Sequence, residues 1–386
     1  MKTRAWSYLV PLLAALSLAS ACESPKRGAP APSAAASSCP SAPAFTVSAP
    51  LPVASPAARL EPLRQRTYAV AIEGTLAHVG TEAGVTVFDL QQPEAPKALA
   101  DVVLPGSVNN LALLQGAPSR LAVAVGPSGL ALVDASGARS GKLMVLNPMP
   151  WTPVQRGGCY SAWNAASSDK DKAFAACGTG GVAEVDLHSP ADPKVTRVVP
   201  TDDYVRDVAV LDVASGVPAG KASPSLVAAA AGRAGLIVVD FKAAGAPRVV
   251  ATVASAGDTR AVAVRGGLAY LAEGPAGLRV VDLRDPAKPV VVGSIRPEST
   301  DMIRGIALGP RTAWLCAGES GLMAIDITTP SSMRKVGGYD PELAVNRAAL
   351  MGDTLVAAND AGGLLILNAS DPSSPRVLHP KPGAGH

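Results

Sequence analysis

Between residues 260 and 295 the chain passes through four short apolar runs: 261–264, 268–272, 277–282 and 290–292. The breaks between them carry Gly266-Gly267, Asp285-Pro286 and Pro289. Runs of this length, rich in Val, Leu and Ala and bounded by Gly or Pro, predict four strands joined by tight turns. The same pattern recurs along most of the chain as imperfect copies. Its clearest marker is a Gly, then apolar residues, then an Asp or Asn at the end of the third run. The markers are Asp89, Asp134, Asp186, Asp240, Asp282, Asp326 and Asn368, spaced 45, 52, 54, 42, 44 and 42 residues apart. That period fits propeller blades and is too long for most short solenoid repeats.

The expected fold is therefore all-β: a seven-bladed β-propeller of four-stranded antiparallel blades over 61–380, with a disordered tail at 381–386. Continuous apolar runs, instead of strict alternation, suit strands buried on both faces. Small residues in the first run of each copy, such as Ala69, Ala112, Ala209, Ala261 and Ala307, suit the crowded inner strand of a tapering blade. Copies three and four are longer, and the extra residues are assigned to surface loops at 167–172 and 215–224 between the first and second strands. Residues 376–379 are expected to supply the fourth strand of the last blade, with 45–53 as an alternative strand that latches the ring.

These residues resemble the LVIVD-repeat family of bacterial and archaeal cell-surface proteins, whose repeat carries Gly-Leu-x-Val-x-Asp followed by Asp-Pro-x-x-Pro. The likeness is strongest at 277–289 and extends over about four-fifths of the chain. Copy two departs most, having Ser136-Gly137 in place of the Pro loop, which weakens its outer strand. The resemblance implies a propeller and no defined activity.

The chain's beginning changes the picture. Lys2 and Arg4 precede an apolar stretch at 6–19, and Leu18-Ala19-Ser20-Ala21-Cys22 follows. This reads as an export signal. Its ending resembles the lipobox of bacterial lipoproteins, which implies lipidation of Cys22; an ordinary signal with an incidental Cys is the alternative. Residues 23–60 are crowded with Pro, Ala and Ser and read as a disordered tether. The expectation is an exported lipoprotein, membrane-attached through its lipid alone. Glu23, where an Asp would signal inner-membrane retention, favours the outer membrane.

Composition removes some classes of function. Of 386 residues, 48% are hydrophobic, 17% charged and only 4% aromatic, and the net charge is +3. No basic stripe interleaved with aromatics argues for nucleic acid. His78, His188, His379 and His386 have no ligand spacing, so no metal site or cofactor is expected. No nucleophile elbow, phosphate loop or paired carboxylate stands out, so no catalytic residue is assigned and the protein is read as non-enzymatic.

Three sets of residues remain. The repeated Asp/Asn are read as structural turn residues that accept hydrogen bonds from their own backbone. Arg206, Arg260, Arg304 and Arg347 open the first strands of four copies, with Asp203, Asp258, Asp301 and Asn346 just upstream. If the copies superpose, the guanidinium groups gather at one mouth of the channel, either to hold an anion or a partner or to tie each blade to an acid of the next. Cys159 and Cys177 are read as opposite each other in the first hairpin of copy three, a candidate disulfide in an exported protein. Cys316 is read as a core residue, Cys39 as a tether residue, and Trp163 and Trp314 as core. The favoured function is a scaffolding or binding module for an envelope or extracellular protein; the alternative is a propeller hydrolase or small-molecule receptor with an anion site at the mouth.

Overall fold

The computed structural model describes residues 65–147, 159, 162–211, 225–241, 246–296 and 302–379. Cys22, Cys39, the signal, the tether, the proposed latch at 45–53 and the tail lie outside the described residues. So does the loop assigned to 215–224.

Seven four-stranded antiparallel sheets follow one another along the chain. Blade 1 is β1 (Thr67–Glu73), β2 (Leu76–Thr81), β3 (Gly84–Asp89) and β4 (Lys97–Val103). Blade 2 is β5 (Asn110–Leu113), β6 (Arg120–Ala124), β7 (Leu130–Asp134) and β8 (Met144–Val145). Blade 3 is β9 (Asn164–Asp169), β10 (Lys172–Ala176), β11 (Val182–Asp186) and β12 (Lys194–Val199). Blade 4 is β13 (Asp207–Val210), β14 (Leu226–Ala231), β15 (Gly235–Asp240) and β16 (Arg248–Val253). Blade 5 is β17 (Ala261–Arg265), β18 (Leu268–Ala272), β19 (Leu278–Asp282) and β20 (Val290–Ile295). Blade 6 is β21 (Gly305–Leu308), β22 (Thr312–Cys316), β23 (Leu322–Asp326) and β24 (Arg334–Tyr339). Blade 7 is β25 (Arg347–Met351), β26 (Thr354–Ala358), β27 (Leu364–Asn368) and β28 (Arg376–His379).

Each blade is buried on both faces, and the period-2 alternation of a strand decides which neighbour a side chain meets. In β10, Ala173 and Ala175 pack toward blade 2, whereas Phe174 and Ala176 pack toward blade 4. Seven apolar clusters fill the seven junctions. The last joins Val356, Leu364 and Ile366 of blade 7 to Val70, Val79 and Phe88 of blade 1 and so closes the ring. Most of these side chains are Ala, Val or Leu, small enough for neighbouring sheets to approach closely. Between blades 3 and 4 the larger Phe174 and Phe241 meet instead, with ring centroids 5.0 Å apart.

Backbone bonds reinforce the junctions on one face of the ring. Gly178 and Val205 exchange hydrogen bonds of 3.1 and 3.0 Å, Gly232 and Thr259 bonds of 3.1 and 2.8 Å, and Thr67 N–H donates to Asp360 O at 3.0 Å across the closure. The glycines open a Gly-x-x-Gly turn between the second and third strands, seen in 126–129, 178–181, 232–235, 274–277 and 318–321. Its second Gly is sterically required. At Gly181 and Gly235 a Cβ would stand 2.1 Å from the carbonyl oxygens of Val199 and Val253, the last residues of the fourth strands.

Two details differ from the sequence reading. Ser167 and Lys172 lie in β9 and β10 and pair within the hairpin, so 167–172 is no insertion. The extra length of copy three falls between β8 and β9. In addition, six blades carry a bulge between the third and fourth strands at one equivalent place, such as Val238/Val239 and Val280/Val281. Bulges of this kind increase local twist. Blade 2 has only the two-residue β8 as its outer strand, where its Pro loop is missing.

The Gly-x-x-Gly turn yields a direct contrast. Gly235→Ala should lower unfolding free energy in urea by about 3 kcal/mol or more, because carbonyl and methyl collide. Gly74→Ala, at φ +58° with open space around it, should cost only about 1 to 2 kcal/mol of backbone strain. Equal losses would contradict the assigned junction packing.

Candidate functional site

Strand direction puts the two residue sets on opposite faces of the ring. The marker Asp and Asn residues end third strands, and the arginines precede or open first strands, at the face that carries the Gly-x-x-Gly turns.

On the first face six of the seven markers fold back on their own turns. The Oδ1 atoms of Asp89, Asp134, Asp186, Asp282, Asp326 and Asn368 accept the N–H two residues on, at 2.8–3.1 Å. Asp240 ends β15 at the equivalent place. Asp89 also receives Arg139 Nη1 at 2.8 Å from blade 2, where a single-turn 3-10 segment replaces the missing Pro loop. The Arg284 guanidinium and backbone hold the Asp282 carboxyl below the usual range. Bonds from His188 do the same for Asp186, as do those from Ser136 for Asp134 and from Thr328 for Asp326.

On the opposite face, the residue just ahead of each first strand donates its N–H to a residue at the end of the second strand, or stands in that phase. Asn109, Trp163, Arg206, Arg260, Arg304 and Asn346 bond to Ala124, Ala176, Ala230, Ala272, Cys316 and Ala358 at 2.8–3.0 Å. With Tyr68 of blade 1 and Arg347, they line a hollow of about 200 Å³ at the channel mouth. Arg206, Arg260 and Arg304 thus gather as expected from superposed copies. Arg347 is one residue out of phase: it pairs with Ala358 inside β25, as Gly305 pairs with Cys316 in β21. Asn346 takes the ring position.

Among the described residues no tie from these Arg side chains to an acid of the next blade is found. Arg260 Nε meets Asp258 of its own segment at 2.8 Å. Arg304 Nη1 donates to the neutral Asn346 of the next blade at 3.1 Å. Arg206 lies over the Tyr204 ring, 4.9 Å from its centroid, and its buried Nε has no hydrogen-bond partner. Trp163 packs edge-on against Tyr204 at 5.3 Å; it precedes β9, half-buried, and both packs against the core between blades 3 and 4 and borders the mouth. Trp314 does lie in the core, 2% exposed. Asp301 lies outside the described residues.

Beneath the mouth is a feature that sequence reading missed. Asp207, the first residue of β13, is buried and accepts Val208 N–H at 2.9 Å, Val262 N–H at 3.1 Å and the Asn164 amide. Arg347 reaches it from blade 7, Nη2 to Oδ2 at 3.7 Å, and also donates to Arg304 O. Burial pushes the Asp207 carboxyl up, against the pull of Arg347. Arg347 is therefore spent inside the channel, leaving Arg206 and Arg304 without an acidic partner in ion-pair contact among the described residues. A polar residue at the first position of β5, β9, β13 and β25 was the available signal, since β17 and β21 open with Ala261 and Gly305.

The cysteines divide into two kinds. Cys159 and Cys177 form a disulfide with Cα atoms 5.0 Å apart. Cys159 precedes β9 and Cys177 follows β10, so the bridge flanks the hairpin and is not a cross-strand pair within it. Cys316 is free and fully buried, and burial pushes its thiol up to about 12, which leaves it protonated and inert at neutral pH. Among the described residues no group of three His, Cys, Asp or Glu could hold a metal ion, and no helix is long and apolar enough to cross a membrane.

These features define a seven-bladed β-propeller with a cationic mouth. Its chain carries LVIVD repeats, matched by that family's model at residues 256–296 and 314–341, which span blade 5 and most of blade 6. No curated protein sequence matches it. Similar solved structures share its fold at low identity. The Myceliophteria thermophila Cps50 (Swd1) beta-propeller domain has a TM-score of 0.63 at 11% identity, covering 79% of this chain and 97% of its own. Saccharomyces cerevisiae Sqt1 gives 0.58 at 9%, covering 81% and 84%. The computationally designed Ika8 protein gives 0.56 at 11%, covering 80% and 97%.

The marker carboxylates set the pH response. The folded-state pKa values of Asp89, Asp134, Asp186, Asp282 and Asp326 lie below those of the unfolded chain, so the stability they contribute is present above about pH 4, the ordinary Asp value, and is lost as pH falls through the folded values. Replacing Asp134, Asp186, Asp282 and Asp326 by Asn, the residue already present at position 368, should flatten the fall in urea midpoint between about pH 5 and pH 2. An unchanged slope would contradict the turn assignment.

Proposed function

We propose that this protein is a lipid-anchored, non-enzymatic binding module that docks an envelope or extracellular protein on the face bearing the channel mouth. The observation that carries the reading is the pair of mouth arginines, Arg206 and Arg304, which lack acidic partners in ion-pair contact among the described residues. A guanidinium left without an ionic partner beside aromatic surface is suited to charge-assisted, planar recognition.

The sequence at 1–22 supports export and attachment through Cys22, and 23–60 would hold the propeller away from the bilayer. A disulfide at Cys159–Cys177 suits the oxidising surroundings of an exported protein. Glu23, where an Asp would signal inner-membrane retention, favours attachment to the outer membrane.

A second reading has support from the size of the mouth. A hollow of about 200 Å³ edged by cations also suits a small anion, as in a receptor or hydrolase propeller. The two readings separate on competition: inorganic phosphate at millimolar levels should leave protein capture nearly intact on the first and abolish it on the second.

The test is affinity capture from detergent-solubilised membranes. Wild type and Arg334→Glu, on the opposite face, should recover the same defined partner, while the double variant Arg206→Glu/Arg304→Glu should lose it about tenfold or more. Cys22→Ser should move the protein to the soluble fraction. A partner captured equally by the double variant, or no reproducible partner, would overturn the proposal.

A further inference from the structure

A second hollow adjoins the mouth and shares Arg206 as a wall. It is larger, about 690 Å³, and is lined by Asp203, Arg206, Arg233, Gly257, Asp258, Pro275 and Met302. Its formal charges look balanced, but the acids are already engaged. Asp203 accepts Tyr204 N–H at 2.6 Å and Arg233 N–H at 2.7 Å, and these bonds, Tyr204 first, hold its carboxyl low. Asp258 is paired with Arg260 at 2.8 Å. The side chain of Arg233 is in ion-pair contact with no carboxylate among the described residues, and Arg206 Nε is buried with no hydrogen-bond partner. Arg260 offsets Asp258, so Arg206 and Arg233 exceed the ionised Asp203, on which Arg206 also acts, by one positive charge. Pro275 and Met302 supply its apolar surface.

Two cationic hollows therefore stand side by side, with Arg206 between them. A single small anion would occupy one and leave the other idle. An extended chain carrying acidic groups at intervals can serve both, with apolar groups against Pro275 and Met302.

Building on the docking reading above, we infer that the segment taken by this face is an acidic extended peptide. One carboxylate lies in the mouth near Arg206 and Arg304, and a second lies in the adjoining hollow near Arg206 and Arg233. Met302 and Pro275 contact an apolar side chain beside it.

The experiment measures binding of fluorescein-labelled alternating Glu/Leu peptide to the exported protein at near-physiological salt. The Gln/Leu peptide, an oligogalacturonate and inorganic phosphate serve as comparison probes. Expected is at least about tenfold tighter binding of the Glu/Leu peptide than of its Gln counterpart. Arg233→Gln and Arg206→Gln should each weaken it about tenfold, and Arg334→Gln should leave it unchanged. Arg233 is exposed, so its variant keeps the test valid if Arg206→Gln fails to fold. Equal binding of the two peptides, indifference to Arg233→Gln, or preference for the oligogalacturonate would overturn the inference, as would displacement of the peptide by micromolar phosphate. Partner capture that survives Arg206→Gln/Arg233→Gln would refute this site while leaving the docking reading intact; failure of wild type to capture any partner would refute that reading instead.

Discussion

Burial of both faces of every blade is the constraint from which the rest of the molecule follows. A four-stranded sheet with two apolar faces cannot stand in water, and a stack of them would leave two faces exposed at its ends. The ring removes those ends: Val356, Leu364 and Ile366 of blade 7 meet Val70, Val79 and Phe88 of blade 1 as any two neighbours meet. This closure needs no strand exchanged between the first and last blades among the described residues, because β28 supplies the outer edge of blade 7. Thr67 then adds main-chain and hydroxyl bonds to Asp360 and Gly363 across the junction.

Closing the ring also sorts chemistry between its two faces. At one, the turns are satisfied locally, six of the marker Asp or Asn side chains capping the N–H two residues on, so little bonding capacity is left for a partner. At the other, the backbone is tied by paired bonds between blades, and the side chains ahead of the first strands are free to differ from blade to blade. Tyr68, Asn109, Trp163, Arg206, Arg260, Arg304 and Asn346 occupy one repeated position with seven individual surroundings. Repetition supplies the scaffold, and departure from repetition supplies the site. The buried Asp207–Arg347 contact beneath them takes one cation out of the mouth.

The number of blades, the order of strands and the turn role of the aspartates were legible in the sequence because each depends on local spacing. The third-strand Asp recurs at the same register, and Asn368 keeps the acceptor without the charge. What escaped was non-local. Arg347 sits one residue from Asn346, and only the pairing with Ala358 reveals which of the two is in phase. The contact between Arg347 and Asp207 joins residues far apart in the chain, so no spacing could disclose it. Polar residues at the end of β9 made 167–172 resemble an inserted loop, because the apolar signal fails in Asn-Ala-Ala-Ser-Ser-Asp, whereas only the turn at 170–171 lies outside the strands. The first glycine of the Gly-x-x-Gly turn recurs in five copies, but its purpose at Gly126, Gly178, Gly232 and Gly318 lies in a hydrogen bond to the next blade, which no local spacing reveals.

Native-state hydrogen exchange on the Ile366→Ala variant tests the closed ring most directly. Truncation at the junction should cost about 2 to 5 kcal/mol. In a closed, cooperative ring that loss should appear equally in the slowest amides of blade 4, on the far side, and of blades 7 and 1. Loss confined to blades 7 and 1, with blade 4 protected as in wild type, would contradict the account.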